Sequence, residues 1–286
     1  MTSYHEFSAK LVSLENMRRV TAAMKMLSTA RFRRAREARR CARRYLQGLA
    51  SLFNRVARLP ECADHPLFQY GPKDRPAWVV LISSDMGLCA GFNHNLVRRL
   101  QQWVAEQPAE PAVELICLGR RGYLAVRRSM TIRVAHPFAG AANVKRAGAI
   151  AGDVLAAFRA REISSVFLAW NVFHNALSQT PTVAPLLPLA RPEEAIPARE
   201  DEELLLEPAV PALMDHVGER AVTGRVLGAL LDHAAGEHGA RMTAMDQASR
   251  NIDRLYEEYT LLRNRARQTT ITQEIIEVVS GAETLR

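Results

Sequence analysis

From Phe7 the apolar residues Leu11, Leu14, Met17, Val20, Met24 and Leu27 recur at steps of three and four, the mark of one apolar stripe along a helix. No Gly or Pro interrupts the run before Gly48. After Ala30 the stripe changes to Ala35, Ala38 and Ala42 between arginines, then returns to large residues at Leu46, Leu49, Phe53 and Val56. Small residues at seam spacing let a partner helix come close. The pattern therefore predicts one long helix packed along another and ended by Pro60 and Pro66. About fifty residues at 1.5 Å each make a rod of roughly 75 Å. The C-terminal part repeats the pattern from Met242 through Met245, Ala248, Ile252, Leu255, Tyr259, Leu262 and Ala266 to Ile275 and Val279, with no proline after Pro211. Gly218, Gly224, Gly228, Gly236 and Gly239 each weaken a helix by up to about 1 kcal/mol relative to Ala, so this earlier stretch is expected to bend or break.

Between the two rods the texture changes. Ala77 to Ser83 (AWVVLIS), Val113 to Leu118 (VELICL) and Val166 to Val172 (VFLAWNV) are short apolar runs that read as buried strands of a parallel sheet. Helical stretches at Asn95 to Glu106, Arg120 to Ser129 and Val144 to Arg161 separate or follow them. Strand and helix in alternation predict a Rossmann-like α/β domain inserted between the long helices. The turn-rich segment from Pro181 to Pro211, acidic between Glu193 and Glu207, reads as a connection back to the rod. No internal repeat is visible.

The two seams bury their apolar faces most simply against each other. A buried Leu or Met contributes about 1.5–3 kcal/mol, against about 0–1 kcal/mol for an exposed ion pair, so the seam would hold such a coil while the charges decide what it meets. The expected fold is α/β with long helices, an antiparallel two-helix coiled coil from the N- and C-terminal segments with the α/β domain inserted. The corresponding division is 1–59 for the first coil helix, 75–195 for the inserted domain and 209–286 for the second coil helix.

Charge and chemistry refine this picture. The formal charge of +8 is uneven: residues 1–59 hold fourteen Lys and Arg against Glu6, Glu15 and Glu37, a net +11, which leaves −3 for the remainder. A basic stripe of this kind can meet phosphates, anionic lipid or an acidic protein surface. The run from Arg31 to Arg40 with Arg43 and Arg44 could grip nucleic acid, yet Phe32 and Tyr45 are its only aromatics for stacking. A solvated coiled-coil face is the simpler reading. Ser84-Asp85-Met86-Gly87-Leu88-Cys89-Ala90-Gly91-Phe92-Asn93 lies between a strand and a helix, where a glycine turn can cradle phosphate. It lacks the lysine and hydroxyl of a P-loop and the G-x-G-x-x-G pattern, so it reads as a tight structural turn or a protein contact rather than the site of a nucleotide enzyme. Cys41, Cys62, Cys89 and Cys117 are scattered, and His233 and His238 are five apart, off the i, i+4 spacing that puts two ligands on one helical face. No catalytic, metal or cofactor site is expected. No run of eighteen apolar residues and no secretory leader is present, which suggests a soluble chain without a membrane span.

Taken in order, four groups of residues carry a resemblance. Ser13 to Met26 (SLENMRRVTAAMKM) is similar to S-hydrophobic-x-N-T-x-K-I-T-x-A-M-x-M, and Ser84 to Asn93 to S-D-R-G-L-C-G-G-x-N. Leu177 to Thr182 and Leu186 to Leu189 resemble x-S-Q-x-P-T and L-L-P-L. Arg241 to Met245, followed by Asn264 to Gly281, resembles R-M-x-A-M and N-K-A-R-Q-x-x-I-T-Q-E-L-x-E-I-V-x-G. These are the motifs, in order, of the γ subunits of F-type rotary ATP synthases, and the match covers nearly the whole chain. Met17, Met86 and Ala90 depart from the family's usual threonine, basic residue and glycine, and Lys25 stands where an acid is often found. These departures bear on contact strengths.

The resemblance implies a non-catalytic central rotor shaft that couples ion-driven turning of a membrane c-ring to the catalytic β subunits. It implies α, β, δ, ε and c-ring subunits as partners, no nucleic acid, and a peripheral place at the cytoplasmic face of a bacterial inner membrane through the c-ring. By matching position, Met24 and Lys25 are expected near an acidic loop of β, with the Arg31 to Arg44 stripe, Arg31, Arg33 and Arg34 among it, facing similar acidic surfaces. Cys89 and its turn are expected at the lower end of β, and Arg267, Gln268, Thr272 and Glu274 at polar loops of the α/β bore, with Ile275 to Val279 at an apolar bearing above.

Overall fold

The computed structural model describes residues 4–108, 111–136, 142–192 and 207–283. In chain order the elements are α1 (Tyr4–Val56), β1 (Ala77–Ile82), α2 (Phe92–Glu106), β2 (Val113–Leu118), α3 (Arg120–Val126), β3 (Thr131–His136), α4 (Val144–Arg159), β4 (Ser165–Phe173), β5 (Gln179–Leu187) and α5 (Val210–Glu283). Two short 3₁₀ turns, Pro60–Cys62 and Pro66–Phe68, follow α1, where the prolines prevent the helix from resuming. The chain forms two compact units, one made of residues up to Ser28 together with those from Met242 onward, the other of Thr29–Arg241.

The first unit is a helix pair. Leu11 and Leu14 of α1, and Met245 and Ile252 of α5, are buried in its seam. Contacts between the two helices run in opposite senses: Phe7 stacks near Tyr259 with ring centroids 6.2 Å apart, Arg18 pairs with Asp253 at 2.9 Å, and Lys25 pairs with Asp246. Rising numbers on one helix meet falling numbers on the other, as an antiparallel coiled coil requires.

The second unit is built on a five-stranded sheet in the order β3-β2-β1-β4-β5. β1 to β4 are parallel, and β5 runs antiparallel to β4. All six residues of β1 are buried, which explains why AWVVLI is a continuous apolar run: a central parallel strand is covered on both faces. Val79 and Leu81 pack with Leu96, Leu100 and Trp103 of α2 on one face. Val80 and Ile82 pack on the other, with Val154 and Phe158 of α4, Phe53 and Val56 of α1, and Met214, Val222 and Leu230 of α5. One strand thus joins two cores through the period-two alternation of its side chains.

Three sequence expectations are corrected. β3 and β5 are strands that the apolar-run criterion missed, and β5 makes the sheet mixed rather than parallel. β3 is mostly exposed and carries Arg133 and His136, so it has no apolar run to find. β5 occupies the start of the segment read as a connection; its Pro181 and Pro185 are tolerated because an edge strand can leave one side undonated. The acidic stretch 193–206 of that segment lies outside the described residues. Finally, α5 continues unbroken through its five glycines. Their lack of a side chain serves packing instead: a Cβ on Gly224 would sit 2.7 Å from Leu49 Cδ2, and one on Gly236 2.9 Å from the Phe92 ring.

Gly119, between β2 and α3, has φ of 98°, and a Cβ there would lie 2.0 Å from the Ser83 carbonyl oxygen. Backbone cannot yield as a flexible side chain does. Gly119→Ala is expected to cost at least about 2–3 kcal/mol and to lower the melting temperature by roughly 4–10 °C, measured by thermal circular dichroism. A shift under about 1 °C would contradict this account.

Candidate functional site

The turn that joins β1 to α2 is held by its own polar side chains. The Ser84 amide donates to Asn93 Oδ1 at 3.1 Å, Asn93 Nδ2 donates to Ser84 Oγ at 2.7 Å, and Ser84 Oγ donates to the Met86 carbonyl at 2.7 Å. Asp85 accepts from the Arg120 amide at 2.9 Å, tying the turn to the start of α3. Leu88 and Ala90 adopt positive φ of 62° and 50°, a conformation that non-glycine residues hold only when their surroundings impose it. The Phe92 and Asn95 amides bond the Cys89 and Gly91 carbonyls, so the turn uses these donors internally rather than offering them to a phosphate.

What imposes the strained turn is a buried polar cluster on α5. Arg241 is 3% exposed; its Nε donates to the Gly87 carbonyl at 3.0 Å and its Nη2 to the Met86 carbonyl at 3.1 Å. Glu237, one helical turn earlier, accepts from Arg241 at 2.7 Å, and His233, another turn back, stands 3.5 Å from its other oxygen. Positions 233, 237 and 241 fall on one helical face, so α5 presents a line of three linked side chains to the turn. Burial alone would push the Glu237 carboxyl upward; His233 and Arg241 outweigh it and hold the group down at about 2. His238 is shifted down by burial, with Arg241 and Arg31 nearby adding to the effect. The consequence is at the tip: Met86 and Leu88 project, 51% and 58% exposed, from a backbone locked behind them.

The sequence-predicted site residues fall into separate places. Cys89 is 2% exposed, its thiol raised first by burial, so it faces the interior while its neighbours Met86 and Leu88 face outward. Arg31, Arg33 and Arg34 are exposed on α1 in the sheet-bearing unit. Met24 and Lys25 are half-buried in the helix pair, where Lys25 meets Asp246, a carboxylate that Arg250 also holds at 2.7 Å. Arg267, Gln268, Thr272 and Glu274 are all exposed. They lie about 30 Å or more along α5 from the Lys25 pairing at Asp246. With Tyr259 opposite Phe7, α5 continues past the start of α1, and Ile275, Ile276, Val278 and Val279 stand 54–72% exposed on this end.

The Glu237–Arg241 clamp was missed by sequence reading, although the i, i+4 spacing of His233, Glu237 and Arg241 was available as a signal. Among the described residues no three His, Cys, Asp or Glu gather as a metal site, and no helix is long and apolar enough to cross a membrane. Among the described residues the arrangement presents an exposed apolar tip at Met86 and Leu88 and an exposed helix end.

Because the folded Glu237 pKa lies below the ordinary value of 4.5, its contribution to stability is complete above about pH 4.5 and is lost as pH falls toward 2. Glu237→Gln is expected to be less stable than wild type by up to roughly 3 kcal/mol near pH 6, with the gap closing by about pH 2. Urea unfolding at a series of pH values measures it, and a gap independent of pH would contradict the assignment.

Comparison with known proteins bears on what such surfaces serve. The family model for ATP synthase matches residues 3–285. The ATP synthase gamma chains of Geobacter sp. (strain M21), Trichlorobacter lovleyi and Anaeromyxobacter sp. (strain Fw109-5) are 35%, 36% and 38% identical, each over 100% of both chains. In fold, the chain is similar to a chain in the rotor of Euglena gracilis mitochondrial ATP synthase, with a TM-score of 0.68 at 20% identity over 94% of this chain and 98% of that one. It is likewise similar to a chain of the central stalk and c-ring assembly of Tetrahymena thermophila, with a TM-score of 0.60 at 22% identity over 80% of this chain and 99% of that one. The full-length match to these relatives, carried on the same helix pair and inserted sheet, places this chain in the ATP synthase family as a gamma chain.

Proposed function

We propose that this chain is the central rotor shaft of an F-type ATP synthase, transmitting the turning of a membrane c-ring to catalytic β subunits and doing no bond chemistry itself. The observation that carries the reading is the end of α5, which extends past its partner helix and presents exposed isoleucines and valines beside the polar residues Arg267, Gln268, Thr272 and Glu274. An apolar helix end left exposed among the described residues suits a bearing formed by other subunits. The full-length relation to gamma chains supports the same conclusion.

Coupling then follows from asymmetry. As the shaft turns, each β subunit meets a different face, and the face it meets shifts its equilibrium among nucleotide-binding states. The turn tip at Met86 and Leu88, with Cys89 fixed behind it, is one such face; Arg31, Arg33 and Arg34 offer another, suited to acidic surfaces. Met24 and Lys25 contribute at the helix pair, where Lys25 already shares Asp246 with Arg250. In this reading residues 1–59 and 209–286 are the coil and 75–195 the foot, which would meet the ε subunit and the c-ring. A peripheral position at the cytoplasmic face of the inner membrane is consistent with the lack of a spanning helix among the described residues. No observation favours nucleic acid as the partner of the arginine stripe.

Affinity purification of the tagged chain from gently solubilised membranes of its native host is expected to recover α, β, δ, ε and c subunits by mass spectrometry. In that complex, replacing Arg267, Gln268, Thr272 and Glu274 together by alanine is expected to lower ATP-driven ion pumping by roughly tenfold or more while β still binds nucleotide. Recovery of the chain without these subunits, or unchanged pumping, would count against the shaft assignment.

A further inference from the structure

The 3₁₀ turn Pro66–Phe68 sets the path of the chain between α1 and the sheet, and one histidine holds its start. His65 is buried, and its Nδ1 accepts a hydrogen bond from the Leu67 amide at 3.3 Å. We propose that His65 makes this turn a proton-operated latch: the neutral ring holds it closed against the core, and protonation of Nδ1 opens it. The latch lies wholly inside the sheet-bearing unit and is independent of the shaft reading.

Geometry decides the protonation state. An imidazole nitrogen that accepts an N–H carries no proton of its own, so the closed turn requires the neutral ring with its hydrogen on Nε2. A proton on Nδ1 sets two donors face to face and takes the acceptor from the Leu67 amide, whose residue is only 1% exposed. The charged ring is also drawn the other way, because Nε2 faces Asp215 Oδ1 of α5 at 3.7 Å, beyond hydrogen-bonding distance while the latch is closed. Arg159 of α4 holds that carboxylate in place at 3.1 Å. Burial pushes the His65 ring below the ordinary 6.5; Asp215 opposes the shift and Arg159 adds to it. Asp64 precedes the ring in the chain, and Arg161, His216 and Glu219 line the same side. A ring held below its unfolded value contributes its full stability above about pH 6.5 and loses it as pH falls, so acid opens the latch.

The turn ties together parts that are distant in the chain. The Leu67 carbonyl accepts from the Leu189 amide at 2.7 Å, just past β5. Its side chain rests on Gly218 of α5, where an added Cβ would lie 2.5 Å from Leu67 Cδ1. A cavity of about 700 Å³ bordered by Pro66, Phe158 and Asp215 lies beside the turn, giving water a route to the ring and the turn room to swing. Opening frees the first turns of α5 from this tie, which makes their attachment to the sheet responsive to acidification.

Hydrogen–deuterium exchange of the full-length chain, read by mass spectrometry on a peptide containing Leu67 and Phe68, tests the latch. After correction for the intrinsic pH dependence of exchange, protection of that peptide is expected to fall by about tenfold between about pH 7.5 and about pH 5.5, while peptides of β1 keep theirs. His65→Asn, whose side-chain oxygen can cap the turn without titrating, is expected to hold protection constant over this range. His216→Gln is expected to keep the wild-type fall, which separates the two histidines. Asp215→Asn, at a side chain 54% exposed, removes the carboxylate that favours the charged ring and is expected to move the fall to lower pH. Circular dichroism checks that each variant is folded. Wild-type protection that does not change with pH would overturn the proposal, as would the same fall in His65→Asn or its loss in His216→Gln.

Discussion

The structure depends on the burial of one face of α5. In the sheet-bearing unit Met214, Val222, Val226 and Leu230 are fully buried, and in the helix pair Met245 and Ile252 continue the stripe against α1. Each such side chain contributes about 1.5–3 kcal/mol, whereas surface pairs such as Arg18–Asp253, about half exposed, contribute about 0–1 kcal/mol. The ion pairs fix register, and the apolar face supplies the stability. Beyond Tyr259, Ile275, Ile276, Val278 and Val279 of the same helix are exposed among the described residues.

A second dependence is electrostatic. A turn with two non-glycine residues at positive φ would relax if it stood alone; here Arg241 binds two of its carbonyls, and Glu237 keeps Arg241 in place. The guanidinium suits this task because its planar fork can serve two backbone oxygens and one carboxylate together. The exposed tip at Met86 and Leu88 is thereby tied through its backbone to α5.

Much of this was legible in the sequence, for identifiable reasons. Long seams such as Leu11, Leu14 and Ile252 repeat at helical spacing, and a doubly covered strand such as β1 is apolar throughout, so both announce themselves. The edge strands did not: β3 alternates with charges and β5 contains two prolines, because one side of each has no strand to satisfy. The glycines of α5 misled because propensity counts their backbone freedom, while their role depends on Leu49 and Phe92, residues far away in the chain. The same holds at the candidate site. The Ser84 to Asn93 turn could be recognised from its residues, but the clamp behind it joins positions more than 150 apart, a distance that spacing rules do not span.

The antiparallel pairing of the chain's two ends sets the order of events during synthesis. Leu11 and Leu14 leave the ribosome more than two hundred residues ahead of their partners Met245 and Ile252. At about 5–20 residues per second, the seam of α1 waits on the order of ten to fifty seconds for its cover.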